Sequence, residues 1–423
     1  MGCVACFQSY KFQNELKRKS FSCHDFLSEL EQYKQNYMNE VLALVPVNLC
    51  GCMAGTLDSG FIDWTNSFMS DMKIDLQLIE GVFDQLMSVF KTERIDANAA
   101  KDDFKAIIKQ YEVDLLVAPQ VMCNSIWYRG RPLGSYNPQD IKELFHIPFS
   151  KRGFASCLRF NKQNEPTLYF GSSILAVEKE LSTTLVDLNI GAFAPIYSIY
   201  YNKKIFDFRN ILFETIQKSL PAIFSDGMKI SYSDKHMSIN SQSIKTDLAR
   251  SIIYEVCTFP VDPNGNGAKE EYTLPNILSD ILRDLKFIGI QFPSTKSYID
   301  LVDEHEFSRH NINVVIFVED NKMSDIDIDR LNSFRTYAVN GSETYSYTLK
   351  DIEDMMDVLR TKFIASSKGR ALNDEKIQTA NIKLHLEYMK HSKINGVDYY
   401  DSITGKTELE FISKLLIDFD AVV

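Results

Sequence analysis

Residues 125–181 read SIWYRGRPLGSYNPQDIKELFHIPFSKRGFASCLRFNKQNEPTLYFGSSILAVEKEL. Between Ser125 and Lys162 stand seven basic residues, Arg129, Arg131, Lys142, Lys151, Arg152, Arg159 and Lys162, against two acidic ones, Asp140 and Glu143. The whole chain carries a net charge of −11, so this is a basic island in an acidic protein. Such an island fits a small anion better than a nucleic-acid surface. Four of its cations are arginines, whose planar fork suits phosphate. Downstream, Pro166-Thr167-Leu168-Tyr169-Phe170-Gly171 has the β-branched and aromatic content of a short strand. Ser172-Ser173 then offers a cap for a helix from about Ile174 through Leu181. Tyr169 falls late in that strand and Glu180 about two turns into the helix. A carboxylate facing a pocket of tyrosine and arginine can stabilise a developing cation.

Outward from this stretch, the chain changes texture twice. Residues 1 to about 120 read as helical: Phe26, Leu27, Leu30, Tyr33, Tyr37, Val41 and Leu42 recur at three- and four-residue steps, as do Phe68, Met72, Leu76, Ile79, Phe83, Leu86 and Phe90. Lys101 to Tyr111 forms a third candidate helix. From Val113 the segments shorten and become β-rich, with strands expected at Leu115–Val117, Ser125–Tyr128, Thr167–Phe170, Ala194–Tyr201, Ile205–Phe208, Phe287–Phe292 and Val314–Val318. Helices are expected over Phe213–Leu220 and from Pro275 to Leu285, with a loop at Asp262–Gly267. Strands and helices without a βαβ rhythm predict an α+β fold. Beyond about residue 320 the chain reads as helical again, with Thr348 and Asp351 as a capping box and helices at Glu375–Lys390 and Glu408–Phe419. The expected organisation is a helical region at 1–120, a central domain at 121–320 and a mainly helical extension at 321–423.

The ordered set Tyr128-Arg129-Gly130-Arg131, Ile147-Pro148-Phe149-x-x-Arg152, Arg159-Phe160-Asn161, Leu168-Tyr169-Phe170-Gly171-Ser172-Ser173 and Glu180 resembles the RES domain. Tyr272-Thr273-Leu274-Pro275 and Gly289-Ile290-Gln291-Phe292-Pro293-Ser294 resemble that family's later signature, with Phe292 where tyrosine is frequent. The likeness covers roughly residues 125–318. The family is named for its Arg, Glu and Ser positions; its characterised members are bacterial toxins, similar in fold to ADP-ribosyltransferases, that destroy NAD+. The resemblance implies Arg129, Tyr169, Glu180 and Ser294 as catalytic residues and NAD+ as substrate. Arg129 or Arg131 would clamp the pyrophosphate, with Arg152 and Arg159 next in line. Tyr169 would wall the nicotinamide, Glu180 would face the cationic ribose with Glu178 as its rival, and Ser294 would orient an oxygen. Water as acceptor gives hydrolysis, phosphate gives phosphorolysis and a protein side chain gives ADP-ribosylation. A catalytically dead nucleotide-binding regulator is the alternative from another class. The chemistry implies restraint by an antitoxin, by oligomerisation or by the flanking helices, in a toxin–antitoxin pair or in antiviral defence. The prefix at 1–120 is expected to restrain the central domain.

Other chemistries have less behind them. No Gly-Lys-Ser phosphate loop or Gly-x-Gly-x-x-Gly occurs. His24, His146, His236, His305 and His310 lack a nucleophile at a telling spacing. His146 reads as a packing or hydrogen-bonding residue. His385 and His391, six apart, do not share a helix face. No apolar run is long enough to span a membrane, and no secretory signal or acylation pattern is matched, so the cytoplasm is the expected compartment. Cys3-x-x-Cys6 with Cys50-x-Cys52 offers four ligands for a structural zinc. The single residue inside the second pair and the place of Cys3 at the chain end weigh against that zinc.

Overall fold

The computed structural model describes residues 2–21, 25–51, 59–113, 126–134, 140–200, 203–208, 241–261, 269–294, 312–340, 346–365, 373–394 and 396–422. The candidate strand at 115–117, the helix at 213–220, the loop at 262–267 and His24, His236, His305 and His310 lie outside them. The chain divides into two compact units, Met1–Leu115 with Arg209–Ile281, and Leu116–Phe208 with Leu282–Val423.

The second unit is built on a mixed seven-stranded sheet, β1 Trp127–Pro132, β2 Thr167–Gly171, β3 Leu188–Pro195, β4 Lys204–Asp207, β5 Phe287–Pro293, β6 Ile312–Phe317 and β7 Phe334–Asn340, in the order β4-β5-β6-β2-β1-β3-β7. Only β4 and β5 pair in parallel; the other ladders are antiparallel. Alternation along the strands divides the side chains between two apolar clusters. Trp127, Leu168, Phe170, Phe193, Val314 and Ile316 fill one. Tyr128, Ile190, Ala192 and Ala194 fill the other, under α1 Ile174–Leu181, α2 Leu349–Ala365, α3 Asn373–His391 and α4 Ile403–Val422. The α+β class read from sequence is therefore present.

Two expectations change. The segment after residue 320 is integral to the sheet unit: β7 pairs with β3 along its length, and Phe411 of α4 packs its ring 5.8 Å from that of Tyr128. The strand expected at 194–201 ends at Pro195, and Tyr197–Tyr200 is a short helix. Its apolar and aromatic content reflects burial of Tyr200 on Phe334, whose ring centroid lies 5.4 Å away.

The first unit joins the helices Tyr10–Lys19, Phe26–Ala43, Ser59–Ile74, Leu76–Glu93 and Ala97–Gln110 to the helix Ser241–Cys257. Its core is aromatic: Phe259 meets Phe26 at 5.4 Å and Tyr33 at 5.5 Å, and Tyr33 meets Phe83 at 5.7 Å. Lys17 Nζ lies 2.6 Å from Glu255 Oε2, the two side chains being 2% and 1% exposed, and donates to Thr258 Oγ1 at 3.1 Å. Burial of such a pair is tolerable only with both charges present. The helical prefix thus shares one core with residues that follow it by some two hundred positions, and the three segments expected from sequence map onto two units. Among the described residues no helix is long and apolar enough to cross a membrane.

Candidate active site

Helix α1 is set in place by glycine. A Cβ on Gly171 would stand 3.1 Å from Val177 Cγ2 and 3.2 Å from Ala176 Cβ, and one on Gly130 would stand 2.8 Å from Val177 Cγ1. The absence of side chains at these two positions lets α1 lie directly on β1 and β2. Ser173 starts the helix, accepting from the Ala176 amide at 3.1 Å. The cap and the helix limits match the sequence reading.

Glu178 and Glu180, two residues apart on this helix, point to different neighbours. Glu178 accepts from the Leu185 amide at 2.6 Å and from Thr404 Oγ1 at 3.1 Å, and burial pushes its carboxyl up. It ties α1 to the following loop and to α4. Glu180 Oε1 instead accepts from Ser294 Oγ at 2.6 Å and from Asn313 Nδ2 at 2.7 Å. Ser294 follows β5 and is fully buried, and Asn313 is the second residue of β6. The register explains the meeting: Gly171 lies opposite Asn313, and Asn313 opposite Phe292. Asn313 alternates with Val314, so it faces the side of the sheet on which α1 packs.

Tyr169 alternates with Leu168 and Phe170 and shares that side. Its hydroxyl donates to Asn161 Oδ1 at 3.0 Å and accepts from the Phe160 amide at 3.0 Å. Asn161 Nδ2 donates to the carbonyls of Ser156, Lys162 and Glu165 at 2.9, 3.0 and 3.2 Å, which fixes the turn carrying Arg159. Phe160 of the same turn meets Phe292 at 4.8 Å between ring centroids. Arg159 is buried within it.

The other arginines are spread out. Arg129 and Arg131 alternate with Tyr128 and Gly130 and so leave β1 from the opposite face of the sheet. The one paired position between β1 and β2 is Tyr128 with Gly171; past it Arg129 Nη1 crosses to the Tyr169 carbonyl at 3.0 Å. Tyr169 is thereby flanked by two arginines, one on its carbonyl and one in the turn held by its hydroxyl. Arg131 Nη2 donates to the Phe145 carbonyl at 3.1 Å. Arg152 pairs with Asp320 and donates Nε to the Phe149 carbonyl at 3.1 Å, in an open groove also lined by Lys322 and Asp325. Of the residues implied by the resemblance, Glu180 and Ser294 are in direct contact, Tyr169 shares their face of the sheet and its hydroxyl holds the turn carrying Arg159, while Arg129 reaches the Tyr169 carbonyl from the opposite face and Arg131 and Arg152 bind other carbonyls.

Two contributors were missed. Asn313 is a polar residue in the otherwise apolar run Ile312–Phe317, a signal that a buried amide there has a partner. Glu408 of α4 is buried and accepts from the Ile174 amide at 2.5 Å and from Tyr399 Oη at 2.8 Å, with His385 Nε2 2.9 Å from its other oxygen. It anchors the N-terminus of α1 from a distant part of the chain, beyond the reach of any local pattern. No family model, curated protein or solved structure matches this chain.

Proposed function

We propose that the sheet-bearing unit is a RES-like, ADP-ribosyltransferase-like enzyme that cleaves the nicotinamide–ribose bond of NAD+. The observation that carries the reading is the contact of Glu180 with Ser294, residues implied in one site by separate motifs and 2.6 Å apart here. In this reading the glycosidic bond breaks with its electron pair leaving on nicotinamide, and positive charge develops on the ribose. Glu180, its rotamer fixed by two neutral donors, supplies the opposing negative charge. Ser294 and Asn313 keep the carboxylate aimed. Tyr169, tethered at both its carbonyl and its hydroxyl, provides a rigid aromatic wall. Arg159, in the turn held by the Tyr169 hydroxyl, is assigned the pyrophosphate, and Arg129, from the opposite face, is assigned the holding of the Tyr169 carbonyl. Water then takes the ribosyl carbon and loses a proton, giving ADP-ribose; phosphate in its place gives the 1-phosphate ester.

Glu178 is not assigned a catalytic role, because both of its oxygens hold the scaffold. The test is incubation of the purified full chain with NAD+ alone and with added phosphate. Free nicotinamide without phosphate supports hydrolysis, and strict dependence on phosphate supports phosphorolysis. Failure of both, with a labelled protein target as the sole product, assigns the unit to protein ADP-ribosylation instead.

A further inference from the structure

We propose that Cys3, Cys6 and Cys50 form a thiolate site for a tetrahedral soft divalent metal ion, zinc foremost. Cys3 Sγ lies 3.9 Å from Cys6 Sγ, and Cys6 Sγ lies 3.7 Å from Cys50 Sγ. All three sulfur atoms fall within 4.8 Å of one another. A zinc ion with Zn–S bonds of about 2.3 Å places its sulfur ligands about 3.8 Å apart along the edges of the tetrahedron. A disulfide would need about 2.05 Å, far less than these separations.

The backbone converges on this arrangement independently of the sulfurs. Cys3 caps the helix Val4–Phe7 and Cys6 lies one turn further along it, while Cys50 closes the short helix Val47–Leu49. The Val45 amide donates to the Gly2 carbonyl at 3.1 Å, which joins the two segments. Gly2 is required by the close approach: a Cβ there would stand 2.9 Å from Cys6 Cβ. Cys3 is buried, whereas Cys6 and Cys50 are partly exposed and leave an approach for an ion. Binding exchanges the thiol protons for the metal, so uptake releases protons. Thiolates select zinc over magnesium or calcium. The spacing that weighed against zinc in the sequence concerned Cys50-x-Cys52. Cys52 lies outside the described residues; among those described, Cys50 joins the well-spaced Cys3-x-x-Cys6.

The test uses the full chain, purified without chelator, with metal measured by elemental analysis and cobalt used as a spectroscopic substitute. About one zinc per chain is expected, together with a sulfur-to-cobalt charge-transfer band and a lowered thermal midpoint after chelation. Cys6→Ser and Cys50→Ser should each lose the bound metal, while Cys157→Ser, an exposed thiol of the other unit, should keep it. If a serine variant fails to fold, the stoichiometry and the cobalt band of the parent chain decide. Metal-free protein that takes up neither zinc nor cobalt after reduction would overturn the proposal, and so would a folded Cys6→Ser variant that retains a full complement.

Discussion

His146 shows how a residue that looks chemical can be structural. Its Nε2 accepts from the Asp327 amide at 2.8 Å, its Nδ1 lies 2.7 Å from the Ile147 carbonyl, and its ring packs 4.7 Å from that of Phe149. This pairing requires the neutral ring with its proton on Nδ1. Burial, the largest influence, holds the imidazole below its ordinary value. The unfolded chain therefore takes up a proton near about pH 6.5 that the folded chain resists. The stability His146 contributes is present above about pH 6.5 and is lost as the pH falls, at up to about 1.4 kcal/mol per pH unit. The thermal midpoint should fall between about pH 7.5 and 5.5, and His146→Asn should flatten that slope; an equal slope in the variant would remove this role. The sequence conveyed that His146 has no nucleophile beside it. It did not convey the Asp327 amide, because that partner arrives from another part of the fold.

At the scale of elements, the site depends on β5 and β6 lying in fixed register, since one delivers Ser294 and the other Asn313. Gly289 maintains that approach: a Cβ there would stand 2.3 Å from the Val315 carbonyl oxygen and 2.9 Å from Ile316 Cδ1. Gly289→Ala must push the strands apart, at a cost of about 1–3 kcal/mol or more. It should also lower NAD+ turnover, because Ser294 is carried on the displaced strand. Calorimetry and turnover on one preparation check this, and unchanged values in both would show that the register tolerates the methyl group. Most elements near the site were legible: β2, the Ser173 cap and α1 stand where the local pattern put them, because turn and cap chemistry act over a few residues. β7 was not, since Phe334–Asn340 is recognisable as a strand only through its pairing with β3. The face from which Arg129 and Arg131 rise follows from strand alternation once β1 is known, yet their hydrogen-bond partners lie on other elements.

At the scale of the whole molecule, the helical prefix shares its core with residues far along the chain. Lys17 and Glu255 join its second helix to the helix Ser241–Cys257 inside one core. Lys17→Met alone leaves Glu255 charged and buried, and should destabilise the first unit by about 3–5 kcal/mol. The double variant Lys17→Met, Glu255→Met should recover most of that loss, because an apolar pair of similar volume needs no compensation. Denaturant unfolding of the full chain measures the cycle; additive losses would mean that the two charges do not depend on each other. Composition could not reveal this link, since an amphipathic helix reads alike whether it covers a neighbour or completes its own core.

The central claim is that Glu180 is the carboxylate at which NAD+ is cleaved. The most direct measurement is free nicotinamide released from NAD+ by the full chain and by Glu180→Gln, with thermal midpoints taken on the same samples. Release by the parent chain, reduced about a hundredfold or more in a variant of unchanged midpoint, is the expected result. Equal release by the folded variant, or none by the parent chain with or without phosphate, would contradict it.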